Sequence, residues 1–377
     1  MVHLVVNNYE QINGLSRYAR SLHHELKHIP AVGVKLVPVG VSPIPAGLKR
    51  LARWLGFDLD AFFQTYPVTW PSQTRGMVHL TNRTQATLLI RKLRWPVVVT
   101  VHDIIHHQYR RDPTMHIYRH AFQAWMDALS IRVLRRADAI LASSDYTRQA
   151  LLKHVGLQES RVHRVYLGVD GELFKPCTVP AAFYERYSLS PQSQYILHIS
   201  SGEPRKNLPT LVRAFAEVRR RHPDVKLLKV GRTLYLEAHR QLQEQITHLG
   251  LGNAVVFIED VPDHDLVFFY NASRVFAFPS RAEGFGFPVL EAMACGTPVV
   301  CSAAGSLPEV AGEAALFADP DDVDGLARAI CRVLEDEALR EQLRERGRQQ
   351  AAKFTWARTA RETVEVYRAV DRTHPFL

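Results

Sequence analysis

Twice along this chain, short apolar runs alternate with amphipathic stretches, and no other feature restricts the fold as much. In the first half the runs are Val2–Val6, Val34–Val39, Val78–Leu80, Val97–Val101 and Ala139–Ala142; in the second half they are Tyr195–Ile199, Val225–Val230, Val255–Ile258, Val275–Phe278 and Pro298–Cys301. Helical periodicity lies between many of them, as in Leu208–Arg220 and Tyr235–Leu249. Runs that are near-continuously apolar, rather than apolar at alternate positions, predict parallel strands covered on both faces. Two such series predict two Rossmann-like α/β domains, each binding ligands at the carboxyl ends of its strands. At 377 residues the chain exceeds one ordinary core, so two domains are expected, over about 1–175 and 190–355. The linker is expected in Gly168–Pro191, which holds Pro176, Pro180 and Pro191 and no clear period. There is no internal repeat and no low-complexity tract.

The segment "RAEGFGFPVLEAMACGTPVV" (281–300) concentrates the chemistry. Pro288 suits the first turn of a helix, where its missing N–H is no loss. Val289, Leu290, Met293 and Ala294 recur at helical spacing, and Gly296 with Pro298 ends the helix before the next strand. On these grounds alone Glu283 and Glu291 are solvated acids near a helix start. The loop between them invites a second reading. Gly284 and Gly286 let the backbone approach a ligand, and the helix start aims N–H groups and a positive dipole at a phosphate. Glu291, expected in the first turn, is placed for the paired hydroxyls of a ribose, and Glu283 for a sugar at the other end of the loop.

Other strand ends fit the same ligand. "SSGEPRKNL" follows the Tyr195–Ile199 strand and puts Arg205 and Lys206 where a strand meets a helix. Two cations there suit a diphosphate, although a solvated basic turn is the plainer alternative. His102 follows the Val97–Val101 strand; a lone histidine is more often structural, but a strand-end loop strengthens the functional reading. Gly14 opens a helix with Tyr18, Ala19, Leu22 and Leu26 on one face, without the GxGxxG spacing of a dinucleotide site.

Net charge is +9, and it is unevenly shared. Residues 1–170 hold 22 Lys and Arg against 11 Asp and Glu; the remainder holds 25 against 27. Such a split predicts an anionic partner at one face: nucleic acid, an acidic membrane or a phosphorylated acceptor. The stretch "GLKRLARWLGF" (47–57) offers an apolar stripe beside Lys49, Arg50 and Arg53, with Trp54 at its margin. It reads either as a basic amphipathic helix on an anionic membrane or as a surface helix docked on its own domain. No apolar run approaches the roughly 18 residues that span a bilayer, and MVHLVVNNYE does not read as a signal peptide. The four cysteines show no CxxC spacing. These features predict a cytoplasmic chain in a reducing compartment, without structural zinc, and peripheral to the inner face of a membrane if the basic stretch docks there.

The motifs together resemble glycosyltransferase family 4, the retaining GT-B enzymes that include bacterial mannosyl- and glucosyltransferases. The resemblance rests on "EGFGFPVLEAMACGTPVV", "EPRKNL", "SSDYTRQALLKHVG", "GVDGELF" and "FTWARTARETVEVY", and runs over nearly the whole chain. It implies two Rossmann-like domains facing across a cleft, with a nucleotide-sugar donor on the C-terminal domain and the acceptor on the N-terminal one. A C-terminal helix, about 356–377, is implied to cross back to the first domain. Lys206 and Arg205 would neutralise the diphosphate, Glu291 would hold the ribose, and Glu283 with the Phe285–Gly286–Phe287 backbone would face the transferred sugar. His102 would hydrogen-bond that sugar, Gly14 would let the first loop approach the diphosphate, and Val261 would lie beside the base. Gly231 and Leu290 fall on the donor side by the same resemblance. The chain departs from the pattern at "YLGVD" (166–170), at Glu259 where glycine is common, and at Ser306 where a second glycine is frequent.

Transfer from such a donor requires stabilising the departing diphosphate, which protein cations and a helix start can do, so neither metal nor cofactor is expected. Asp321-Asp322 reads as an acidic surface loop. For retention, the leaving phosphate can take the acceptor proton on the same face; a Glu283 nucleophile is the alternative. The resemblance favours GDP-mannose as donor, with UDP-glucose or another UDP-sugar as the alternative, and a glycan or lipid-linked acceptor. Three other readings differ in class. A sugar-nucleotide epimerase needs no acceptor, a nucleic-acid binder would show steep salt dependence, and a non-catalytic binder of anions would lack Lys206, Glu283 or Glu291.

Overall fold

The computed structural model describes residues 1–7, 14–30, 32–39, 47–48, 50, 59–70, 76–91, 94–112, 115, 118 and 121–373. The chain divides into two compact units. One comprises residues 1–110, 118–168 and 356–377; the other comprises 111–117 and 169–355.

The first unit is built on a six-stranded sheet of β1 (Val2–Val6), β2 (Val34–Pro38), β3 (Met77–Leu80), β4 (Val97–Val101), β5 (Ala139–Ala142) and β6 (Val162–Arg164). Their order is β2-β1-β3-β4-β5-β6, parallel throughout, with Val2 opposite both Val34 and Met77. All residues of β1, β3, β4 and β5 are buried, which is why these strands are apolar without alternation. Helix α1 (Gly14–Lys27) buries Tyr18, Ala19, Leu22 and Leu26 on one face. Helix α2 (Ala121–Val133) carries Asp127, which is buried and paired with Arg83 at 2.5 Å. The Tyr118 hydroxyl donates to the other oxygen of Asp127 at 2.7 Å.

The second unit repeats the architecture with β7 (Tyr195–Ile199), β8 (Lys226–Val230), β9 (Val255–Ile258), β10 (Val275–Phe278), β11 (Val299–Ser302) and β12 (Ala315–Ala318). The parallel order is β12-β11-β10-β7-β8-β9, so β7 and β10 lie side by side at its centre. Helices α3 (Leu208–Arg221) and α5 (Val323–Glu335) pack on it through Leu211, Val212, Phe215, Leu326 and Ile330, all fully buried. Helix α4 (Phe287–Ala294) follows the loop after β10.

Two strands escape the sequence pattern, β6 and β12. Both are edge strands, where exposure on one side admits His163, Arg164 and the 39% exposed Phe317 into what would otherwise be an apolar run. Of the segment 168–191, expected to hold the linker, residues 169–191 group with the second unit. Its short helix Ala181–Arg186 buries Phe183 against Phe268 and Phe269, a long-range aromatic contact that local periodicity does not reveal.

Helix α6 (Trp356–Thr373) belongs to the first unit although it follows the second in the chain. Buried polar groups fasten it there. Tyr367 Oη lies 2.5 Å from His79 Nδ1, His79 Nε2 lies 2.7 Å from Thr100 Oγ1, and Thr100 meets the Tyr18 hydroxyl at 2.8 Å. The Thr359 hydroxyl donates to the Tyr166 carbonyl at 2.8 Å. Burial pushes His79 down to about 3, so the chain of contacts is built around a neutral imidazole.

Of the stretch 47–57, Lys49, Arg53 and Trp54 lie outside the described residues; Arg50 is helical and exposed. Among the described residues no helix is long and apolar enough to cross a membrane.

Candidate active site

Adjacent strands β7 and β10 deliver the charged groups. After β7 the chain turns through Pro204–Lys206, and Asn207 takes a left-handed conformation (φ 58°) before α3 begins. That turn buries Arg205 and Lys206 instead of leaving them in solvent. After β10, residues 279–286 form the loop that carries Glu283, also buried.

The two loops meet at one carboxylate oxygen. Lys206 Nζ donates to Glu283 Oε1 at 2.6 Å, Ser280 Oγ donates to it at 2.5 Å, and Arg205 Nη1 lies 3.0 Å from it. Arg205 also donates from Nε to Glu203 at 2.6 Å and from Nη1 to the Ala282 carbonyl at 2.8 Å. Lys206 sits 5.0 Å over the Phe278 ring. The cluster thus holds two cations and two carboxylates, with the side chains of the central Lys206–Glu283 pair only 10% and 7% exposed. Among the described residues Lys206 spends one of its three N–H donors on Glu283. Its charge can therefore serve an anion without giving up that partner.

The electrostatics follow from burial and neighbours. Burial lowers the Lys206 ammonium and Arg205 adds to that, while Glu283 and Glu203 oppose it. For Glu283 burial acts upward, but Arg205 and Lys206 together outweigh it and hold the carboxyl below the ordinary range. Glu283 is therefore an ionised, strongly hydrogen-bonded carboxylate.

Glycine is required where these loops cross. Gly286 caps α4 with φ 99°, and a Cβ there would come within 2.7 Å of Leu307. Gly305 (φ 61°) passes so close to the Glu283 backbone that a Cβ would meet its N and O at 2.5 and 2.6 Å. Ser306 then fixes the Glu283 carbonyl through its N–H at 3.1 Å and its hydroxyl at 3.0 Å. Serine at this departure from the expected pattern therefore holds the Glu283 loop in place.

The remaining expected residues divide by position. Glu291 is buried and accepts from the Tyr270 hydroxyl at 2.8 Å. It lies in the second turn of α4, not the first, because the helix starts at Phe287. Phe285 is buried among aromatic rings, 5.3 Å from Phe287 and 6.0 Å from Phe354. Leu290 is fully buried, so its side chain has no surface to offer a ligand. Gly231 (φ 111°) ends β8 beside Ser200, where a Cβ would come 2.7 Å from the Ser200 carbonyl oxygen. Val261 is half-buried after Asp260, itself at φ 52°. The loops that follow β8 and β9 are tied together, since Thr233 N–H donates to Glu259 at 3.0 Å and Arg232 pairs with Asp260 at 2.7 Å.

Gly14 and His102 belong to the first unit. Gly14 is the exposed first residue of α1. The His102 ring stands edge-on to Tyr18 with centroids 4.8 Å apart, and its Nε2 lies 3.1 Å from the Thr81 carbonyl. Burial lowers its pKa, and the Thr81 carbonyl and Asp103 only partly offset this. A neutral imidazole that donates from Nε2 keeps Nδ1 as an acceptor, which suits a substrate hydroxyl.

Ser280, Glu203 and Tyr270 escaped the sequence reading, and Ser306 entered it only as a departure from the family pattern. Ser280 and Glu203 carry a usable signal, since each follows a strand of the central pair within a few residues.

Comparison with known proteins now bears on these loops. Residues 184–350 match the family model for glycosyl transferases group 1, and residues 17–173 match that for glycosyltransferase family 4. The MMP alpha-(1->4)-mannosyltransferase of Mycolicibacterium hassiacum is 31% identical over 292 residues, covering 74% of this chain and 67% of that protein. This chain belongs to glycosyltransferase family 4. Another relative, the O-antigen chain mannosyltransferase B of Escherichia coli, is 36% identical over 240 residues, 62% of this chain and 61% of its own length. The chain thus spans about three fifths of that relative. Among solved structures, sucrose-phosphate synthase from Thermosynechococcus elongatus superimposes with a TM-score of 0.74 over 99% of both chains at 23% identity. Anabaena Alr3699/HepE, solved in complex with UDP and glucose, gives 0.72 over 97% of this chain and 98% of its own at 20% identity. At these identities the structures establish the GT-B fold, which the two six-stranded parallel sheets of this chain match.

Proposed function

We propose that this family 4 chain is a retaining glycosyltransferase that moves mannose from GDP-mannose to a glycan or lipid-linked acceptor. The observation that carries the reading is the Arg205–Lys206–Glu283 cluster at the carboxyl ends of β7 and β10, beside the start of α4. Breaking the anomeric C–O bond leaves negative charge on the diphosphate. Two buried cations and a helix N-terminus answer that charge with groups already in place. The acceptor hydroxyl attacks the anomeric carbon from the face the diphosphate leaves, and the departing phosphate oxygen takes its proton, so configuration is retained. Glu283 in this scheme is an electrostatic partner rather than a nucleophile. Three donors crowd its Oε1, and the cations that hold its pKa down weaken it as an attacking group. Glu291, anchored by Tyr270, is assigned to the ribose hydroxyls and His102 to the transferred sugar. The diphosphate needs no metal on this account.

Mannose is favoured because both relatives named above are mannosyltransferases. A UDP-glucose donor is the second reading, favoured by the UDP and glucose bound to the Anabaena neighbour. The basic first half, with Lys49, Arg50 and Arg53, is assigned to the side that meets the acceptor or an anionic membrane. A thermal-shift screen with GDP-mannose, GDP, UDP-glucose and UDP tests the donor. A ligand at 100 times its dissociation constant stabilises by about 2.7 kcal/mol, and the guanosine ligands are expected to raise the melting temperature most. A shift with UDP-glucose alone overturns the mannose reading, and a shift with none overturns the nucleotide-sugar reading.

A further inference from the structure

Away from these loops, at the opposite end of α3, three side chains of different chemistry converge. His222 ends α3, with its backbone N–H still bonded to the Val218 carbonyl. Cys331 and Glu335 stand four residues apart on α5 and so share one face of that helix. One ligand atom from each of the three lies within 4.8 Å of the other two. His222 Nε2 is already 3.0 Å from Glu335 Oε1.

We propose that His222, Cys331 and Glu335 form a zinc site that ties the end of α3 to α5. An imidazole, a thiolate and a carboxylate make a donor set suited to zinc, whereas magnesium and calcium prefer oxygen alone. Metal–ligand bonds of about 2.0–2.3 Å in a tetrahedron separate the ligand atoms by roughly 3.3–3.8 Å, so atoms that now lie within 4.8 Å of one another need to close by at most about 1–1.5 Å. Side-chain rotation supplies that much. Coordination releases the Cys331 thiol proton to solvent, and the thiolate and carboxylate then balance the two positive charges of the ion around a neutral imidazole. Water takes the fourth position on the exposed side, where Glu335 is 40% exposed.

Arg221 is the competing group: its Nη2 lies 2.7 Å from Glu335 Oε1 and 3.0 Å from Oε2. That guanidinium is 58% exposed, and surface pairs of this kind hold weakly. It can keep one carboxylate oxygen while the metal takes the other, or swing into solvent. The site lies at the far end of a 14-residue helix from Lys206, about 20 Å along its axis. The ion would therefore brace the helical layer over the second sheet and take no part in transfer. This proposal is independent of the donor and of the mechanism.

Cobalt substitution tests it on the full chain. Metal-free protein titrated with Co²⁺ is expected to develop thiolate-to-cobalt absorption in the near ultraviolet, saturating at one equivalent and displaced by Zn²⁺. Cys331→Ser should abolish that band, and His222→Gln should weaken Zn²⁺ binding at least tenfold in competition with a chelating dye. Cys177→Ser, which alters the exposed cysteine, should leave the band intact. His222→Gln changes a half-buried residue at a helix end, so it remains informative if Cys331→Ser fails to fold. Absence of the band in the unaltered protein, its loss in Cys177→Ser, or unchanged Zn²⁺ affinity in folded His222→Gln overturns the proposal.

Discussion

Lys206→Ala separates the charge role of this lysine from its packing role. The substitution removes the 2.6 Å contact to Glu283 Oε1 and leaves Arg205 at 3.0 Å and Ser280 at 2.5 Å on the same oxygen. Breaking a buried ion pair outright costs about 3–5 kcal/mol because a charge is stranded. Glu283 is not stranded here, so the expected loss of stability is about 1–3 kcal/mol, the range for removing one partner of a buried polar group. A domain stability of about 5–15 kcal/mol leaves the variant folded at 25 °C. The catalytic loss is expected to be larger. Removing one preorganised group from a developing negative charge lowers kcat on the order of 10²–10³, or about 2.7–4 kcal/mol. The assay pairs thermal unfolding with initial rates of nucleotide release, using the donor found in the thermal-shift screen. A folded variant with near-native kcat refutes the assignment. A rise in KM alone would show that Lys206 binds the donor equally in ground and transition states, which also contradicts the proposed role.

Excess EDTA should leave kcat unchanged, since the diphosphate charge is met by Arg205, Lys206 and a helix start; loss of activity restored by magnesium or manganese would contradict this. Stability should fall on acidification below pH 6.5. Burial pushes His79 and His198 down to about 3, so between pH 6.5 and 3 the unfolded chain binds protons that the folded chain refuses. Each histidine then costs up to about 1.4 kcal/mol per pH unit, and a melting temperature that is flat between pH 7 and 5 would count against the neutral buried imidazoles. Asp127→Asn takes the carboxylate charge from buried Arg83 in the first unit and should cost about 3–5 kcal/mol, whereas a loss below 1 kcal/mol in chemical denaturation would show that neutral acceptors, the amide oxygen and the Ser130 hydroxyl 3.3 Å from Arg83, suffice without the charge. Replacing Lys49, Arg50 and Arg53 by glutamate should weaken binding to anionic vesicles at low salt without altering nucleotide affinity. Unaltered protein that ignores such vesicles would remove the membrane from the picture.

Much of the architecture was legible because it is local. Strands buried on both faces are apolar at nearly every position, so β1, β3, β4, β5, β7 and β10 announce themselves within four or five residues. The same reasoning fails at β6 and β12, where an open edge relaxes the requirement, and in 168–191, whose order comes from Phe183 meeting rings more than 80 residues away. A strand end pointed to Arg205 and Lys206, and a glycine loop before a helix start pointed separately to Glu283. What joins them is the placement of β7 beside β10, which brings Lys206 and Glu283, 77 residues apart, onto one oxygen. No periodicity encodes that pairing, nor the hold of Ser280 on Glu283, of Tyr270 on Glu291, or of His79 on the final helix. Local sequence determines which groups reach a strand end and which helix face is buried. The order of strands in the sheet decides which of those groups share a site, because charges interact through space and not along the chain.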